Sequence, residues 1–334
     1  MSPNTTIAHL PDGVLLEIFD SFRQSFQYES NYERVWNSNK GWFKLSHVCR
    51  EWRQVVLTSP SRLHMRLLFT EHRSARAIAI KRLPPLPIIF DYKSGACTYI
   101  LKRMVSALTY PDRVCGIAFK VPRVISKELF AAMDQPFPAL DSLELDCLHN
   151  IDQNFPPPFL TARPPHLRRL KLTNYASTFS CHILSRTVSP VYLSLRVDRI
   201  FFSTFEAQFL SHLQGMPLLC HLELEMWGMP RRHDTTSVPS SGIKNVLLPK
   251  LNFLCFTGHI TQLEPLMECL GAPDLQELRI DLHYPYSYSA TAASIFSPAT
   301  SLSKFVSNIG KSFSCAQLNA SRKGIKLIHP SKSS

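Results

Sequence analysis

Glycine is scarce, with 11 in 334 residues. Nucleotide-binding folds place glycines where the backbone must approach phosphate, and neither G-x-G-x-x-G nor the P-loop pattern occurs here. G-x-S-x-G and H-E-x-x-H are missing too, which removes the nucleophile elbow and the helical zinc protease. No run reaches the roughly 18 apolar residues of a membrane-spanning helix. The start, MSPNTTIAHLPDG, has neither a basic nor an apolar region of the kind that directs export. The nine cysteines are odd in number and none forms C-x-x-C. They are expected to be reduced thiols packed as small hydrophobes, in a protein of the cytoplasm and/or nucleus. The pairs Cys147/His149, Cys181/His182 and Cys220/His221 lack the ligand spacing of a zinc site, so no metal, cofactor or catalytic residue is expected.

Acidic residues are also in short supply. Asp and Glu number 25 against 37 Lys and Arg, for a net charge of +12. The excess is regional. Residues 61–110 carry nine cations against two anions, and 161–200 carry seven against one. Residues 1–60 balance at six each, and 111–160 lean acidic, four against seven. A solvated basic face accounts for this, and no aromatic–basic interleaving of a nucleic-acid module is visible. Binding of RNA or another polyanion stays as a weaker alternative.

Proline, in contrast, is plentiful at 25, and it recurs with a period. The octet Pro-x-Leu-x-x-Leu-x-(Leu/Ile/Phe) occurs as PALDSLEL from Pro138, PHLRRLKL from Pro165, PLLCHLEL from Pro217, PKLNFLCF from Pro249 and PDLQELRI from Pro273. Weaker copies start at Pro111, Pro190 and Pro298, and the spacings along the series are 27, 27, 25, 27, 32, 24 and 25. Such a period marks stacked repeats. Each L-x-L is a short strand with alternate side chains pointing inward, and one unit cannot bury its own apolar face. Return segments are helical in places, as in the stripe Leu263, Leu266, Met267 and Leu270. Outward strand positions are expected at Ser142 and Glu144, Arg169 and Lys171, His221 and Glu223, and Gln276, Glu277 and Arg279. Two polar stretches, 226–242 with Trp227 and 283–294, read as surface loops, where binding residues concentrate. Candidate target-binding residues are Arg169, Lys171, His221, Glu223, Trp227 and Arg279.

Before the repeats lie two apolar stripes at helical spacing. Leu15, Ile18, Phe19, Phe22 and Phe26 follow Leu10-Pro11-Asp12, where Pro and Asp suit a first helical turn. Leu45, Val48, Cys49, Trp52 and Val56 form the second, ended by Ser59-Pro60. The basic segment Arg62–Arg82 is expected to be helical as well.

Two resemblances follow from these residues. The octets resemble the first half of a leucine-rich repeat. Leu10-Pro11 with Val14, Leu15, Ile18 and Phe19, then L-S-H-V-C-R-E-W-R, resemble the F-box of ubiquitin-ligase receptors, in the F-box-like form common in fungal proteins. The Trp that family members often carry after the post-helix Pro is absent at Ser61–His64. The resulting expectation is an α/β chain. All-α F-box-like helices occupy 5–65, a helical linker 66–83, an irregular leucine-rich-repeat-like solenoid with a curved parallel sheet 84–328, and a flexible tail 329–334. The resemblance implies docking on a Skp-type adaptor of a cullin–RING (SCF-type) ubiquitin ligase through Leu10, Pro11, Leu15, Ile18, Leu45, Val48, Cys49 and Trp52, some of which must serve the module's own core. Phe19, Phe22 and Val56 are expected in that core. The repeats would hold an unknown protein substrate. The competing reading is a repeat scaffold unrelated to ubiquitin, its N-terminal helices serving only as a cap.

Overall fold

The computed structural model describes residues 10–25, 44–59, 67–70, 87–92, 105, 108–121, 131–147, 164–173, 183–187, 190–197, 209–226, 246–282, 315–319 and 324–328. The chain divides into two compact units, Met1–Ala118 and Phe119–Ser334. Both contain parallel sheet, and the class is α/β.

In the first unit, helix α1 spans Asp12–Ser25 and α2 spans Arg50–Thr58. Their shared core holds Leu15, Leu16, Phe19, Leu45, Val55 and Val56, all buried. The second stripe is not one helix, as its spacing suggested. A turn at His47–Val48 separates residues 44–46 from α2, and Cys49 caps the new helix. The Cys49 sulfur accepts from the Trp52 amide at 3.4 Å, and the Arg53 side chain donates to the Ser46 carbonyl at 2.8 Å. These bonds satisfy groups that the break would otherwise orphan.

The helix expected over Arg62–Arg82 is corrected in part. Leu67–Thr70 is strand β1, pairing in parallel with β2, Ile88–Tyr92. Four apolar or β-branched residues fit helix or strand, and a parallel partner supplies the backbone bonds a strand needs. Strand β3, Val114–Val121, lies next to β2 in sheet order. The Cys115 thiol donates to the Ile88 carbonyl at 3.4 Å, and Ile89 packs against Gly116, where a Cβ would stand 3.3 Å from it.

The second unit is built on the octets. Strands β4 (Ser142–Cys147), β5 (Arg169–Thr173), β6 (Tyr192–Val197), β7 (His221–Met226), β9 (Phe253–Gly258) and β11 (Glu277–Leu282) pair in parallel in that order. Register turns the repeat into ladders. Leu143, Leu170, Leu193, Leu222, Leu254 and Leu278 form one inward row, all fully buried. Leu145, Leu172, Leu195, Leu224, Phe256 and Ile280 form the next. At about 1.5–3 kcal/mol for each fully buried apolar side chain, these rows are a substantial part of the favourable side of folding.

The period in proline has a geometric cause. In all five octets the residue before Pro accepts a hydrogen bond from the Leu two places after it: Leu140 to Phe137, Leu167 to Pro164, Leu219 to Met216, Leu251 to Leu248 and Leu275 to Ala272. Pro thus holds the second position of a β-turn, where its fixed φ is already correct. The same Leu anchors the turn in the core, at no more than 1% exposure in every case. One carbonyl past that anchor then accepts two amides from the next unit, as Asp141 does from Arg168 and Arg169, and Asn252 from Gln276 and Glu277.

Pro190 departs from the alignment in sequence. The register Leu193↔Leu170 places Pro190 level with the anchor Leu167, not with the turn residue Pro165. It is buried like the leucines it replaces. The unit's 25-residue spacing reflects this offset of two.

Behind the sheet, α3 (Ile260–Cys269) buries Leu263, Leu266 and Met267, as its stripe predicts. Gln262, in its first turn, accepts from the His259 amide at 2.9 Å, one half of a capping box. Two short strands, β8 (Val246–Leu247) and β10 (Leu270–Gly271), pair just before successive turns. A parallel sheet over all of 84–328 is also corrected. Strands β12 (Cys315–Asn319) and β13 (Gly324–Ile328) pair antiparallel, and β13 pairs antiparallel with β11. Only four residues separate β12 from β13. That suffices for a hairpin and not for a parallel crossover.

Candidate functional site

Alternation along each strand leaves a second set of side chains on the outer face of the sheet. Register brings Ser142, Arg169, Tyr192, His221, Phe253 and Glu277 into one row, and Glu144, Lys171, Ser194, Glu223, Cys255 and Arg279 into the next. Five of the six expected target-binding residues therefore share this face. The sixth, Trp227, lies outside the described residues, as does the 283–294 loop.

The centre of the face is a stack. The His221 imidazole lies flat against Phe253, with centroids 4.0 Å apart and planes 3° off parallel, and against Tyr192 at 4.6 Å. A guanidinium closes each end, Arg169 over Tyr192 at 5.4 Å and Arg279 over Phe253 at 5.0 Å. Five neighbouring strands each give one member. Strand spacing of about 4.8 Å makes such a stack possible, because it matches the separation of offset aromatic rings.

Glu223 holds the stack from below. Its carboxylate accepts from the Tyr192 hydroxyl and from His221 Nε2, each at 2.8 Å. The bond from His221, followed by those from Tyr192 and Ser194, outweighs partial burial and brings its pKa down to about 2. Glu223 is therefore ionised at neutral pH and can only accept, so His221 must carry its proton on Nε2. Burial, then the Glu223 charge, pushes the Tyr192 phenol far up. Burial first, then Glu223 and Asp281, raises the Cys255 thiol to about 11. Cys255 is thus a neutral thiol, unsuited to nucleophilic attack or metal ligation. Among the described residues no group of three His, Cys, Asp or Glu could hold a metal ion.

Most charges on the face are paired locally. Lys171 meets Glu144 at 3.1 Å, Arg279 meets Glu277 at 2.7 Å and Arg196 meets Glu225 at 3.7 Å. The five described cysteines with burial assigned, at 49, 115, 220, 255 and 269, are in no disulfide and of intermediate exposure, less buried than expected. Cys255 alternates with the inward Leu254 and Phe256 and so falls on the other face, and Cys220 directly precedes β7.

Tyr192 and Phe253 were missed from the sequence. The signal was available in YLSL, HLEL and FLCF, each with an aromatic ring or imidazole directly before the inward pair. Pro190, read as a turn proline, masks Tyr192, whereas Phe253 follows Pro249 in regular register and was legible there.

The helical pair offers a second surface. Of the eight residues expected to face an adaptor, Leu15 and Leu45 are buried and are corrected to core. Trp52 is half-buried, its ring 4.8 Å from Phe19, and Cys49 acts as a helix cap. Leu10 is half-buried and Pro11 exposed. Ile18 is 43% exposed and Val48 60%, and Val14, one helical turn before Ile18, is 44% exposed. Of the expected core residues, Phe19 and Val56 are fully buried. The Phe22 side chain lies outside the described ones.

Compared with protein-family models, with curated proteins and with solved structures, the chain matches none. Among the described residues no helix is long and apolar enough to cross a membrane.

Proposed function

We propose that this chain is a non-enzymatic substrate receptor of a cullin–RING (SCF-type) ubiquitin ligase. Its N-terminal helices act as an F-box-like module on a Skp-type adaptor, in the cytoplasm and/or nucleus. Its stacked units act as an irregular leucine-rich-repeat-like solenoid that presents a target protein. The observation that carries the reading is the exposure of Val14, Ile18 and Val48 on a helical pair whose own core is already filled by Phe19, Leu45 and Val56. Apolar side chains left in water on a module too small to bury much core favour a partner. They coincide with the motif residues L-P…V-L-x-x-I-F and V-C-R-x-W-R.

The test is co-purification of the full chain with a Skp-type adaptor. The double variant Ile18→Asp, Val48→Asp changes only exposed positions. It is expected to lose the adaptor while keeping the thermal midpoint within a few degrees of the parent. Leu15→Asp is unsuitable, since it charges the core. Retention of the adaptor by the double variant overturns the proposal.

A further inference from the structure

We infer that the stack on the outer sheet face binds an extended peptide segment carrying one carboxylate and, about four residues away, one aromatic or large aliphatic side chain. This deepens the proposed function and rests on its assignment of the sheet face to target binding.

The face is prepared for desolvation. Three of its cations are matched to carboxylates, and Glu223 is saturated by Tyr192 and His221. Covering paired charges costs less than covering single ones. The rings are held flat against one another, so little side-chain freedom is left to lose on binding. Tyr and Arg are also the residue types that dominate binding hot spots.

One cation is left over. Arg169 has no carboxylate partner among the described residues; its guanidinium is exposed and rests on the Tyr192 ring. A guanidinium fork matches a planar carboxylate. The rest of the face limits how much negative charge a ligand can carry. Over the outward positions of the six parallel strands, Arg169, Lys171, Arg196 and Arg279 stand against Glu144, Asp146, Glu223, Glu225, Glu277 and Asp281, four minus six, or −2 with His221 neutral. Such a face repels polyanions and disfavours a dianionic phosphate, in a chain whose total charge is +12. A single carboxylate seated on Arg169 is the charge it accommodates.

The apolar part of the ligand has its own place. Phe253 is half-buried, and two residues on along the same face lies Cys255, a neutral thiol. Three strand spacings separate β5 from β9 through β6 and β7, roughly 14 Å, which an extended peptide covers in about four residues.

The experiment is selection of a random dodecapeptide phage library on the purified full chain, followed by affinity measurement of the enriched peptides. Enriched peptides are expected to share an Asp or Glu spaced about four residues from an aromatic or large aliphatic residue. Arg169→Glu and Phe253→Ala should each weaken them at least ~10-fold, and Arg169→Lys should recover part of the loss. Both sites are surface positions, and retained adaptor co-purification with an unchanged thermal midpoint shows that the fold survives. An empty selection, peptides without a carboxylate, indifference to Arg169→Glu, or preference for phosphopeptides or RNA each overturns the inference. A chain that binds such peptides but not the adaptor leaves the inference standing and refutes the ligase reading instead.

Discussion

Replacing Glu223 by Gln should flatten the acid limb of the stability curve. The wild-type carboxylate falls from an ordinary 4.5 to about 2 in the folded protein. A group whose folded pKa is depressed contributes stability above its unfolded pKa, and that contribution is lost as pH falls through the folded value. The window is therefore about pH 4.5 down to about 2. At 1.36 kcal/mol per pKa unit the undiscounted figure is roughly 3 kcal/mol. The side chain is 36% exposed, so water screens the interaction, and about 1–2 kcal/mol is the better expectation. Gln keeps the shape but offers one acceptor oxygen to two donors, Tyr192 and His221. One donor must then rotate away or go unpaired. The assay is urea unfolding of parent and E223Q from pH 7 to pH 2.5. The difference in unfolding free energy should be about 1–2 kcal/mol at pH 7 and shrink towards zero at the acid end. Parallel curves, with a gap independent of pH, would refute the argument that the ionised carboxylate holds the stack together.

Three further outcomes follow from packing and caps. Leu219→Ala should cost about 2–5 kcal/mol by opening a cavity at a fully buried anchor, whereas Pro217→Ala in the same turn should cost only about 0.4–1 kcal/mol through the unfolded state; chemical denaturation of the two variants checks the ranking. Gly258→Ala should destabilise by about 1–3 kcal/mol, because the new Cβ would stand 2.8 Å from Gln262 Oε1 and 3.0 Å from Phe256 Cζ; a thermal midpoint equal to the parent's would contradict it. Cys49→Ser should leave the midpoint unchanged or slightly higher, and Cys49→Ala should lower stability by about 0.5–1 kcal/mol, because Ser replaces the sulfur as acceptor for the Trp52 amide and Ala cannot.

Much of the sheet was legible in the chain. The octets specify strand, inward row and turn together, because a strand has period two and a turn favours Pro at one place. Leu143, Leu170, Leu222, Leu254 and Leu278 needed no tertiary information. Neither did the stripe of α3. Pro190 misled, because two different places in the unit, turn and buried anchor, both accept proline. Leu67–Thr70 was illegible for another reason. Four apolar or β-branched residues fit helix or strand equally, and only the partner Ile88–Asp91 decides between them. Cys49 sits at helical spacing from Leu45 and Trp52, so periodicity counted it with the stripe. Its extended backbone and its bond to Trp52 make it a cap.

The amino-acid order by itself determined the repeat, the inward face of each strand and the absence of the common catalytic motifs. Tertiary structure alone decided which outward residues meet. Tyr192, His221 and Phe253 are separated by 29 and 32 residues in the chain, and nothing local makes them neighbours. Parallel register does so, by setting the first outward position of each unit beside the next at a spacing that rings can fill. The shared carboxylate of Glu223 then joins them into one surface.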